Sequence, residues 1–362
     1  MERGEVMAQK KKATKKAAKK TSNHQDIRAK VEALRDTINS KPKLEGKVYL
    51  GRDAEPLERI SSGVLAFDYV TGGGFPRRRY TELFGEESCF KTTLALHGVA
   101  SAQRSGGVAA WVVGEEFDDD WAAEQGVDVD NLVKIEAVTG DVMLEMAATF
   151  LESGLVDLMV LDSVQAIGTI RESEDAVTQE SYGGGGSAQL WGRMYRRTRG
   201  IFNSRKSNAA IIGISQARSA IGAFSPTGKP DPRPTQIYAI RHWKSISVYF
   251  KKGEPVYVDA KNDKKRLLSQ EFKLVTKKNK TAPPGRASAF TYRFDGGKLD
   301  VVDEAFRFGL VYGLIEAKGA YYEGYDLREK GREAFLNALR ADPDLVQEIR
   351  TDVVSEIKRS DA

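Results

Sequence analysis

A short run of residues between a predicted strand and a predicted helix carries the sharpest chemical signal in this sequence. Residues 85–92 read GEESCFKT, which fits the phosphate-loop pattern G-x-x-x-x-G-K-[ST] except that Phe90 stands at the second glycine. Backbone N–H groups of such a loop and of the helix after it can surround a polyphosphate. Lys91 can neutralise the β- and γ-phosphates, and the Thr92 hydroxyl can bind Mg²⁺. The run predicts a nucleotide site, although Phe90 leaves a coincidental or decayed turn as the alternative.

Three more predicted strands end in polar side chains suited to nucleotide hydrolysis. The strand before Asp162 ends in a carboxylate that can hold a Mg²⁺-bound water. Glu115 ends another strand and could orient a water for attack on the γ-phosphate, and the amide of Gln216 could sense that phosphate. Each residue alone also fits an ordinary solvated strand end. Together with the phosphate loop, the three residues favour a nucleotide hydrolase.

Apolar strands that alternate with helices must position these residues. We predict strands over residues 80–84, 109–113, 156–161 and 209–214, and helices over residues 26–38, 92–103, 142–152 and 187–202. This alternation indicates an α/β fold with a mostly parallel sheet and helices on both faces. Three more strands would extend the sheet, over residues 245–250, 271–275 and 288–294. Residues 303–358 are expected to be predominantly helical.

Two long loops follow strands of the predicted sheet. One runs from residue 168 to 186 and ends in four glycines, and the other runs from 217 to 236 and contains four prolines. Loops of such length are usually functional or disordered. Because ligands bind at the carboxyl ends of the strands in open α/β sheets, both loops are expected at the ligand-binding edge.

Composition excludes several classes of protein. The 362 residues contain one Cys and three His, which argues against a disulfide framework and against zinc or His-rich metal sites. No apolar stretch approaches the roughly 18 residues that a membrane helix needs, and no signal-peptide pattern follows the basic N-terminus. We therefore expect a soluble cytoplasmic protein with one large domain or two ordinary ones.

The positive charge is concentrated in an N-terminal tail. The formal net charge is +5, and seven lysines between residues 10 and 20 exceed it, since 5 − 7 = −2 for the rest of the chain. A Lys/Ala/Thr run of this kind cannot bury a core, so residues 1–22 are expected to be disordered. The tail is either a tether for polyanions or a solubilising leader without a further role.

The order of these pieces resembles the RecA family of recombinases. The similarity begins near Glu58 and continues in collinear order through ERISSGVLAFDYVTGGGFPRRRYTELFG, GVDVDNL (126–132), VDLMVLDSVQAI (156–167), KLVTKKNKTAPP (273–284) and FGLVYGLIEAKGAYYEG (308–324). The resemblance implies a RecA-type sheet with a small helical N-terminal region and a small α/β C-terminal domain. It divides the chain into a basic tail over residues 1–22, an oligomerisation helix and linker over 23–57, an ATPase and DNA-binding core over 58–295, and a C-terminal domain over 296–362.

Carried onto this sequence, the resemblance assigns most of an ATP site. Lys91 would be the phosphate-loop lysine, and Thr92 and Asp162 would be the Mg²⁺ ligands. Glu115 would be the catalytic base, and Gln216 would be the switch that senses the γ-phosphate. The expected loop contacts with the cofactor are Gly85, Glu86, Glu87, Ser88, Cys89, Phe90, Lys91, Thr92 and Thr93.

Two further pairs of residues complete the implied site. Asp118 and Trp121 fall where the family holds the adenine, if one residue is deleted just after the catalytic Glu. Lys278 and Lys280 match lysines that reach across a filament interface to the ATP of the neighbouring subunit. The alternative is that the run KKNK is only a solvated face, as charge runs usually are. Its match to the family on both flanks favours the functional interpretation.

The same resemblance implies that the two long loops bind DNA. Arg218 and Phe224 are the best-matched contacts of the second loop. Arginines of the helix over residues 187–202 could line the DNA path or only keep an exposed face soluble. The candidate DNA contacts are Gly183, Gly184, Gly185, Gly186, Arg193, Arg218, Ile221, Gly222 and Phe224.

The expected function is that of an ATP- and Mg²⁺-dependent DNA recombinase. It would form helical filaments on single-stranded DNA and pair it with double-stranded DNA, with single-strand-binding and loading proteins as further partners and no membrane. Phe90 departs from the bacterial members but looks similar to phage recombinases of the UvsX type, which favours an active loop and a phage-like origin. The alternatives are a ring-forming ATP-driven DNA helicase and a non-hydrolysing single-stranded-DNA-binding protein.

The tail generates a first prediction. Deleting residues 1–22 should weaken binding to single-stranded and duplex DNA about equally, because the tail contacts phosphates and reads no bases. The deletion should also flatten the dependence of DNA affinity on salt concentration, since each phosphate contact on a single strand contributes about −0.7 to the log–log slope of affinity against salt. DNA titrations at several salt concentrations measure this. An unchanged slope would show that the tail is a bystander.

Overall fold

The described part of the chain contains one N-terminal helix and a large α/β unit. The structure, a computed structural model, describes residues 27–41, 48–49, 51, 56–168, 186–218, 233–234, 238–260 and 264–360. Contacts divide the chain into two units, Met1–Pro56 with Asn203–Arg205, and Leu57–Phe202 with Lys206–Ala362. The predicted tail over residues 1–22 and most of the two predicted DNA loops lie outside the described residues.

Helix α1, over residues 27–39 of the first unit, confirms the helix predicted there. Its apolar stripe is exposed, with Ile27, Val31 and Leu34 at 50%, 44% and 59% accessibility. The i, i+4, i+7 spacing puts the three side chains on one face. A lone helix shorter than about 15 residues is marginal in water, so this face is suited to association.

Strands and helices alternate along the second unit. Its first strands are β1 (Arg59–Ile60), β2 (Phe75–Pro76), β3 (Tyr80–Gly85), β4 (Ala109–Val113), β5 (Val133–Ile135), β6 (Leu158–Asp162), β7 (Ala210–Arg218) and β8 (Arg233–Pro234). The later strands are β9 (Lys244–Ala260), β10 (Lys264–Asn279), β11 (Ala287–Arg293), β12 (Lys298–Leu299), β13 (Glu316–Lys318), β14 (Tyr321–Gly324) and β15 (Leu327–Lys330). The helices are α2 (Leu65–Thr71), α3 (Lys91–Arg104), α4 (Asp119–Glu124), α5 (Gly140–Ser153), α6 (Gly186–Asn203), α7 (Tyr238–Trp243), α8 (Val301–Val311), α9 (Arg332–Ala341) and α10 (Pro343–Ser360). No helix in the described ranges is long and apolar enough to cross a bilayer.

A ten-stranded sheet dominates this unit. Its strand order is β12-β11-β10-β9-β3-β7-β6-β4-β5, and β8 pairs with β7. The strands from β9 to β5 are parallel to one another, whereas β10, β11 and β12 extend the sheet in antiparallel pairings. The mostly parallel sheet and its extension by later strands were predicted, whereas the antiparallel direction of β10, β11 and β12 was not. Because β3, β7, β6 and β4 run in one direction, their carboxyl ends share one edge.

The core lies on both faces of the sheet. On β6, Leu158 and Val160 belong to one buried cluster, which helix α3 also joins. Met159 and Leu161 belong to a second cluster, which α5 and α6 join. The side-chain period of two explains this division, and burial on both faces explains why the strand reads as a continuous apolar run. The prediction of helices on both faces is confirmed.

The strands β9 and β10 are much longer than predicted. The apolar pattern predicted only residues 245–250 and 271–275, while the strands pair over Lys244–Ala260 and Lys264–Asn279. Much of the extra length of β9 is exposed, including Val256 and Tyr257. The extended part of β9 and β10 is a two-stranded ribbon that is held by hydrogen bonds between these strands. Because it does not pack into the core, its sequence lacks the alternation of apolar residues that predicts a strand.

The C-terminal region combines helices with a small sheet. Helices α8, α9 and α10 accompany the antiparallel sheet β13-β14-β15. The α/β character of this region was expected, but the sheet falls in the stretch predicted to be mostly helical. Strands of three or four residues with turns at Gly319 and after Gly324 carry too little periodic pattern to be found.

A buried carboxylate ties helix α8 to helix α2. The Glu304 carboxylate is inaccessible and accepts hydrogen bonds from the N–H groups of Leu65 at 3.3 Å and Ala66 at 3.0 Å. Helix α2 lacks a side-chain cap of its own at Val64, so Glu304 satisfies its first turn. Arg350 of α10 donates to the same carboxylate at 3.1 Å. Burial raises the pKa of Glu304, and the charge of Arg350 opposes this rise.

This pair generates a stability prediction. Arg350→Met should lower the free energy of unfolding by about 3–5 kcal/mol, because Glu304 would remain buried without its partner. The double variant Glu304→Gln with Arg350→Met should lose less than the sum of the two single losses. Urea unfolding of the four proteins measures the coupling. The exposed pair Arg340–Glu333, 2.9 Å apart, is the control and should couple by under about 1 kcal/mol. Strictly additive losses at Glu304 and Arg350 would contradict this account.

Candidate functional site

Lys91 is held over the loop that joins β3 to α3. It is the first residue of α3, and its Nζ donates to the carbonyl oxygens of Gly85 at 3.2 Å and Glu86 at 2.5 Å. The side chain is only 7% accessible. Burial lowers the pKa of Lys91, while neighbouring Cys89 and Asp162 oppose that change. The amino group is therefore positioned at the loop without an ion-pair partner among the described carboxylates.

Thr92 and Asp162 lie together beside this loop. The Thr92 hydroxyl donates to Asp162 Oδ2 at 3.2 Å, and Asp162 Oδ1 is buried with no hydrogen-bond partner among the described residues. Burial, together with the negative charge of Glu115, raises the pKa of Asp162 to about 7. No described group of three or more His, Cys, Asp or Glu residues could hold a metal ion. The pair fits Mg²⁺, which takes one or two protein oxygens and completes its shell with phosphate oxygens and water.

Glu115 and Gln216 reach the same edge of the sheet. The Ser163 hydroxyl donates to Glu115 Oε1, and the Glu115 N–H donates to the Asp162 carbonyl at 3.1 Å. Between β3 and β6, Gln216 of β7 pairs in register with Gly85 and is exposed. The structure thus brings together the four strand ends that the sequence singled out. A lysine, a hydroxyl, two carboxylates and an amide around one loop can bind a polyphosphate and activate a water.

Phe90 resolves the mismatch in the phosphate-loop pattern. Its backbone is left-handed, with φ +73° and ψ +10°, a conformation that glycine adopts freely and other residues reach at a cost of about 1–2 kcal/mol. Its ring is 7% accessible and packs against Phe272, Phe290 and Tyr292 at centroid distances of 5.2, 4.8 and 5.1 Å. The ring is thus buried among the side chains of β10 and β11. The ring therefore packs into the core beside the sheet, a side-chain direction that the phosphate-loop pattern alone does not give.

Asp118 and Trp121 share one turn after β4. The Asp118 carboxylate accepts a hydrogen bond from the Trp121 N–H at 2.9 Å and so caps helix α4. Trp121 is half-buried against the core cluster of α3. The turn follows the strand that leads to Glu115, which keeps both residues on the edge where the phosphate loop lies. Their contact with adenine stays a prediction.

Lys278 and Lys280 lie at the opposite edge of the sheet. Lys278 pairs in register with Ser247 of β9, and the Lys280 N–H donates to the carbonyl of Ser245 at 3.0 Å. In the adjacent pairing of β9 with β3, Lys244 lies opposite Tyr80 at the start of β3. Phe250 lies opposite Gly85 at the end of β3. At about 3.3 Å per strand residue, roughly 10 Å for Lys278 and roughly 17 Å for Lys280 separate the lysines from Gly85 of the phosphate loop along the strand direction. One chain therefore does not bring the two lysines to its own Lys91.

Asn279, between the two lysines, is a residue that the sequence reasoning missed. Its Oδ1 accepts hydrogen bonds from the Thr281 N–H at 2.8 Å, the Thr281 hydroxyl at 2.9 Å and the Ala282 N–H at 2.9 Å. Its Nδ2 donates to the Thr71 carbonyl at 3.2 Å. These bonds fix the turn that carries Lys280. An Asn at the start of a Pro-containing turn is the signal that could have identified it.

A buried ion pair lies beside Lys278. Glu82 of β3 accepts hydrogen bonds from Lys244 Nζ at 2.6 Å and from the Ser247 hydroxyl at 2.5 Å. Burial lowers the pKa of Lys278, and the charges of Lys280 and Lys244 lower it further, while Glu82 opposes them. Glu82 thus offsets part of the positive charge at this edge. Its contact with Lys244 joins residues far apart in sequence, so no local pattern indicates it.

The candidate DNA contacts are only partly described. Gly183, Gly184, Gly185, Ile221, Gly222 and Phe224 lie outside the described residues. Gly186 is the first residue of α6, and Arg218 is the last residue of β7. Arg193 donates to Asp141 of α5 at 3.0 Å, so an exposed ion pair engages its charge. The DNA-binding roles of these residues stay predictions.

Comparison with known proteins finds extensive similarity. The family model for the RecA N-terminal domain matches residues 32–298. Protein RecA of Acidothermus cellulolyticus is 33% identical over 334 residues, which cover 90% of this chain and 93% of that protein. Protein RecA of Bacteroides thetaiotaomicron is 32% identical over 327 residues, 88% of this chain and 95% of that protein. Protein RecA of Thermotoga maritima is 34% identical over 307 residues, 84% and 82% of the two chains.

The left-handed backbone of Phe90 generates a prediction about substitution order. Phe90→Ala should lower the free energy of unfolding by about 3–5 kcal/mol, since it deletes the buried ring and retains the strain. Phe90→Gly deletes the ring too but relieves about 1–2 kcal/mol of left-handed strain. We expect the Gly variant to be at least as stable as the Ala variant in urea unfolding.

Phe306 of α8 provides the control, because it is 2% accessible and sits in an ordinary helix interior. There Gly should be less stable than Ala by about 1 kcal/mol. A Phe90→Ala protein clearly more stable than Phe90→Gly would mean that the backbone strain is absent.

Proposed function

The chain belongs to the RecA family, and on that premise we propose that it is an ATP-dependent DNA recombinase that polymerises on single-stranded DNA. The observation that carries the proposal is the convergence of Lys91, Thr92, Asp162, Glu115 and Gln216 at one edge of the sheet. Within the filament, base pairing between strands supplies the sequence specificity, and the protein contacts mainly phosphates. Homologous pairing and strand exchange follow from holding single-stranded and duplex DNA along the same filament.

One side of the ATP site is built from the phosphate loop and the strand ends. Lys91 leaves the loop carbonyls to contact the β- and γ-phosphates of ATP. Thr92 and Asp162 would hold Mg²⁺, which would supply charge neutralisation for the phosphate oxygens. Glu115, held by Ser163, accepts the proton of the attacking water. Glu115 and Asp162 are held in place before ATP arrives, so only the Lys91 side chain must reorient when ATP binds.

Gln216 links the nucleotide to DNA. It lies beside Gly85 of the phosphate loop, and β7 continues from it into residues 217–236, the proposed second DNA loop. A contact between the Gln216 amide and the γ-phosphate would therefore be transmitted toward the DNA loop through Ala217 and Arg218, the last two residues of β7. Loss of the γ-phosphate releases that contact, which couples hydrolysis to DNA affinity.

The other side of the ATP site comes from the neighbouring subunit. Support for this comes from the sheet itself, because Lys278 and Lys280 lie at the edge opposite the phosphate loop. In a head-to-tail array, opposite edges of adjacent copies meet, and open helical filaments result when the rotation does not close. The two lysines then add positive charge around the transferring phosphate, with Asn279 holding the turn that presents them.

Helix α1 supplies a second contact between subunits. The exposed stripe of Ile27, Val31 and Leu34 is an apolar face on a short helix, and such a face gains most when it is covered by another surface. We assign the segment over residues 23–57 to oligomerisation, residues 58–295 to the ATPase and DNA-binding core, and residues 296–362 to a C-terminal domain. A ring-forming helicase would use the same phosphate loop, and electron microscopy distinguishes closed rings from helical filaments.

The intersubunit site generates a mixing experiment. A Lys91→Ala protein and a Lys278→Ala/Lys280→Ala protein should each hydrolyse ATP poorly. Mixed in equal parts on single-stranded DNA, about a quarter of the junctions would combine an intact loop with intact lysines, so activity should partly return. A DNA-dependent ATPase assay across mixing ratios should show a maximum between the two pure proteins.

Lys273→Ala is the matched control, since Lys273 lies on the same strand but pairs with Glu271 at 3.3 Å. It should retain full activity alone. A straight line between the two pure proteins would mean that the lysines act within their own chain or not at all. If neither variant lost single-stranded-DNA binding or strand exchange, the recombinase proposal itself would be contradicted.

A further inference from the structure

A cavity between helices α3 and α10 has no role in the function proposed above. Its volume is about 630 Å³, within the size range of small-molecule sites. One acid, Glu124, faces it, against four cationic side chains: Arg104, Lys298, Arg350 and Lys358. His97 also lines it, and burial lowers the pKa of His97 to about 4, so that its imidazole is neutral. The excess of positive charge makes it a candidate site for an anion.

Arg104 lies at the centre of this charge. Its guanidinium sits between two turns, where a Cβ on either Gly63 or Gly126 would lie 3.7 Å from one of its nitrogens. Both glycines have left-handed φ values, +76° and +88°, so a larger residue is disfavoured at either position. Among the described residues, no carboxylate forms an ion pair with Arg104. The guanidinium is exposed, so an anion that enters the cavity can reach it.

Arg350 adds a second guanidinium nearby. It donates to the Gly63 carbonyl at 2.6 Å and to Glu304 at 3.1 Å, so its own charge is balanced. Burial lowers the pKa of Arg104, and the positive charge of Arg350 lowers it further. No described carboxylate forms an ion pair with Arg104 that would offset the repulsion between the two guanidinium groups.

Two buried polar side chains in the same lining lack partners. Gln125 is 5% accessible, and its Nε2 has no hydrogen-bond partner among the described residues. Its Oε1 accepts a long hydrogen bond from the Tyr292 hydroxyl, at 3.5 Å. His97 Nε2 is also buried without a partner among the described residues. Unpaired buried polar atoms are rare in folded proteins and call for a ligand or a water.

We propose that this cavity binds a small phosphate-bearing molecule, with Arg104 as its main contact. The fork of a guanidinium matches phosphate oxygens in a bidentate arrangement. Lys298 and Lys358 are exposed at the rim and can contact the same anion, while Leu299 and Val354 line an apolar part that suits an organic group. Arg104 ends α3 and Lys91 begins it, so about 20 Å of helix separates this site from the phosphate loop.

Binding here would act on two parts of the fold at once. Helix α3 carries Lys91 at its other end, and the His97 ring stacks on Phe90 at 6.0 Å. Helix α10 supplies Arg350 and Lys358 from the C-terminal region. A phosphate bridging Arg104 and Lys358 therefore clamps the phosphate-loop helix to the C-terminal region, and it stabilises the folded protein in proportion to its occupancy.

Calorimetric titration with inorganic pyrophosphate tests the site. The full chain carrying Lys91→Ala is used without DNA and without Mg²⁺, so that the phosphate loop contributes little. One saturable site is expected. Adding Arg104→Gln should weaken it at least tenfold, adding Lys298→Gln and Lys358→Gln together should weaken it severalfold, and Arg104→Lys should restore part of the affinity. Arg340→Gln, an exposed change on α9, is the control and should leave the affinity unchanged.

Absence of saturable binding, or binding that ignores both Arg104→Gln and the rim variant, would overturn the proposal. The rim variant decides the matter if Arg104→Gln does not fold, because Lys298 and Lys358 are exposed. A short DNA duplex is added as a competitor. If it displaces pyrophosphate at a lower concentration of phosphate groups than pyrophosphate itself requires, DNA is the occupant and the proposal is overturned. Since no step requires DNA or ATP hydrolysis, the outcome is independent of the recombinase proposal.

Discussion

The parallel register of β3, β7, β6 and β4 is the constraint on which the site depends. Gly85 lies opposite Gln216, and Asp162 lies opposite Val113, two residues before Glu115. A slip of one residue would move every side chain of a strand to the other face, and both faces here are packed against apolar clusters. The apolar cores therefore fix the register, and the register brings the Thr92 hydroxyl within 3.2 Å of Asp162. Distant packing thus controls the geometry around the phosphate loop.

A parallel sheet has two unlike edges, and this chain uses both. The carboxyl edge carries the loop with Lys91, while the amino edge carries Lys278 and Lys280 on an antiparallel extension. Because β10 runs back along β9, its last residues return to the start of β3, and the cations that gather there are partly balanced by buried Glu82. The two sets of groups are complementary but separated within one chain. In the proposed head-to-tail array the two edges would meet, so a polymer would complete one active site from two copies of the sheet.

Local pattern predicted the parts whose causes are local. The apolar strands, the helices on both faces and the polar residues at the strand ends follow from periodicity and strand direction, and the structure has them within a few residues. The length of the β9–β10 ribbon, the small C-terminal sheet and the contacts of Asn279 depend on partners far away in sequence. Phe90 is the clearest case: the pattern marked it as a defect, whereas three aromatic rings of β10 and β11 accommodate it. Rule-breaking residues at functional sites are expected to be compensated elsewhere, and such compensation is visible only in three dimensions.

Four cations of the described region divide into two kinds by their partners. Lys244 and Arg350 each contact a buried carboxylate, Glu82 at 2.6 Å and Glu304 at 3.1 Å, and these pairs join elements of the fold. Lys91 contacts only loop carbonyls, and Arg104 has no described carboxylate within ion-pair distance. Burying a charge without a counter-ion is costly, so a fold retains such a group where an external anion supplies the missing charge. For Lys91 the proposed anion is the polyphosphate of ATP. Arg104, at the other end of the same helix, is exposed, and the anion proposed for its cavity would supply a counter-charge that no described carboxylate supplies.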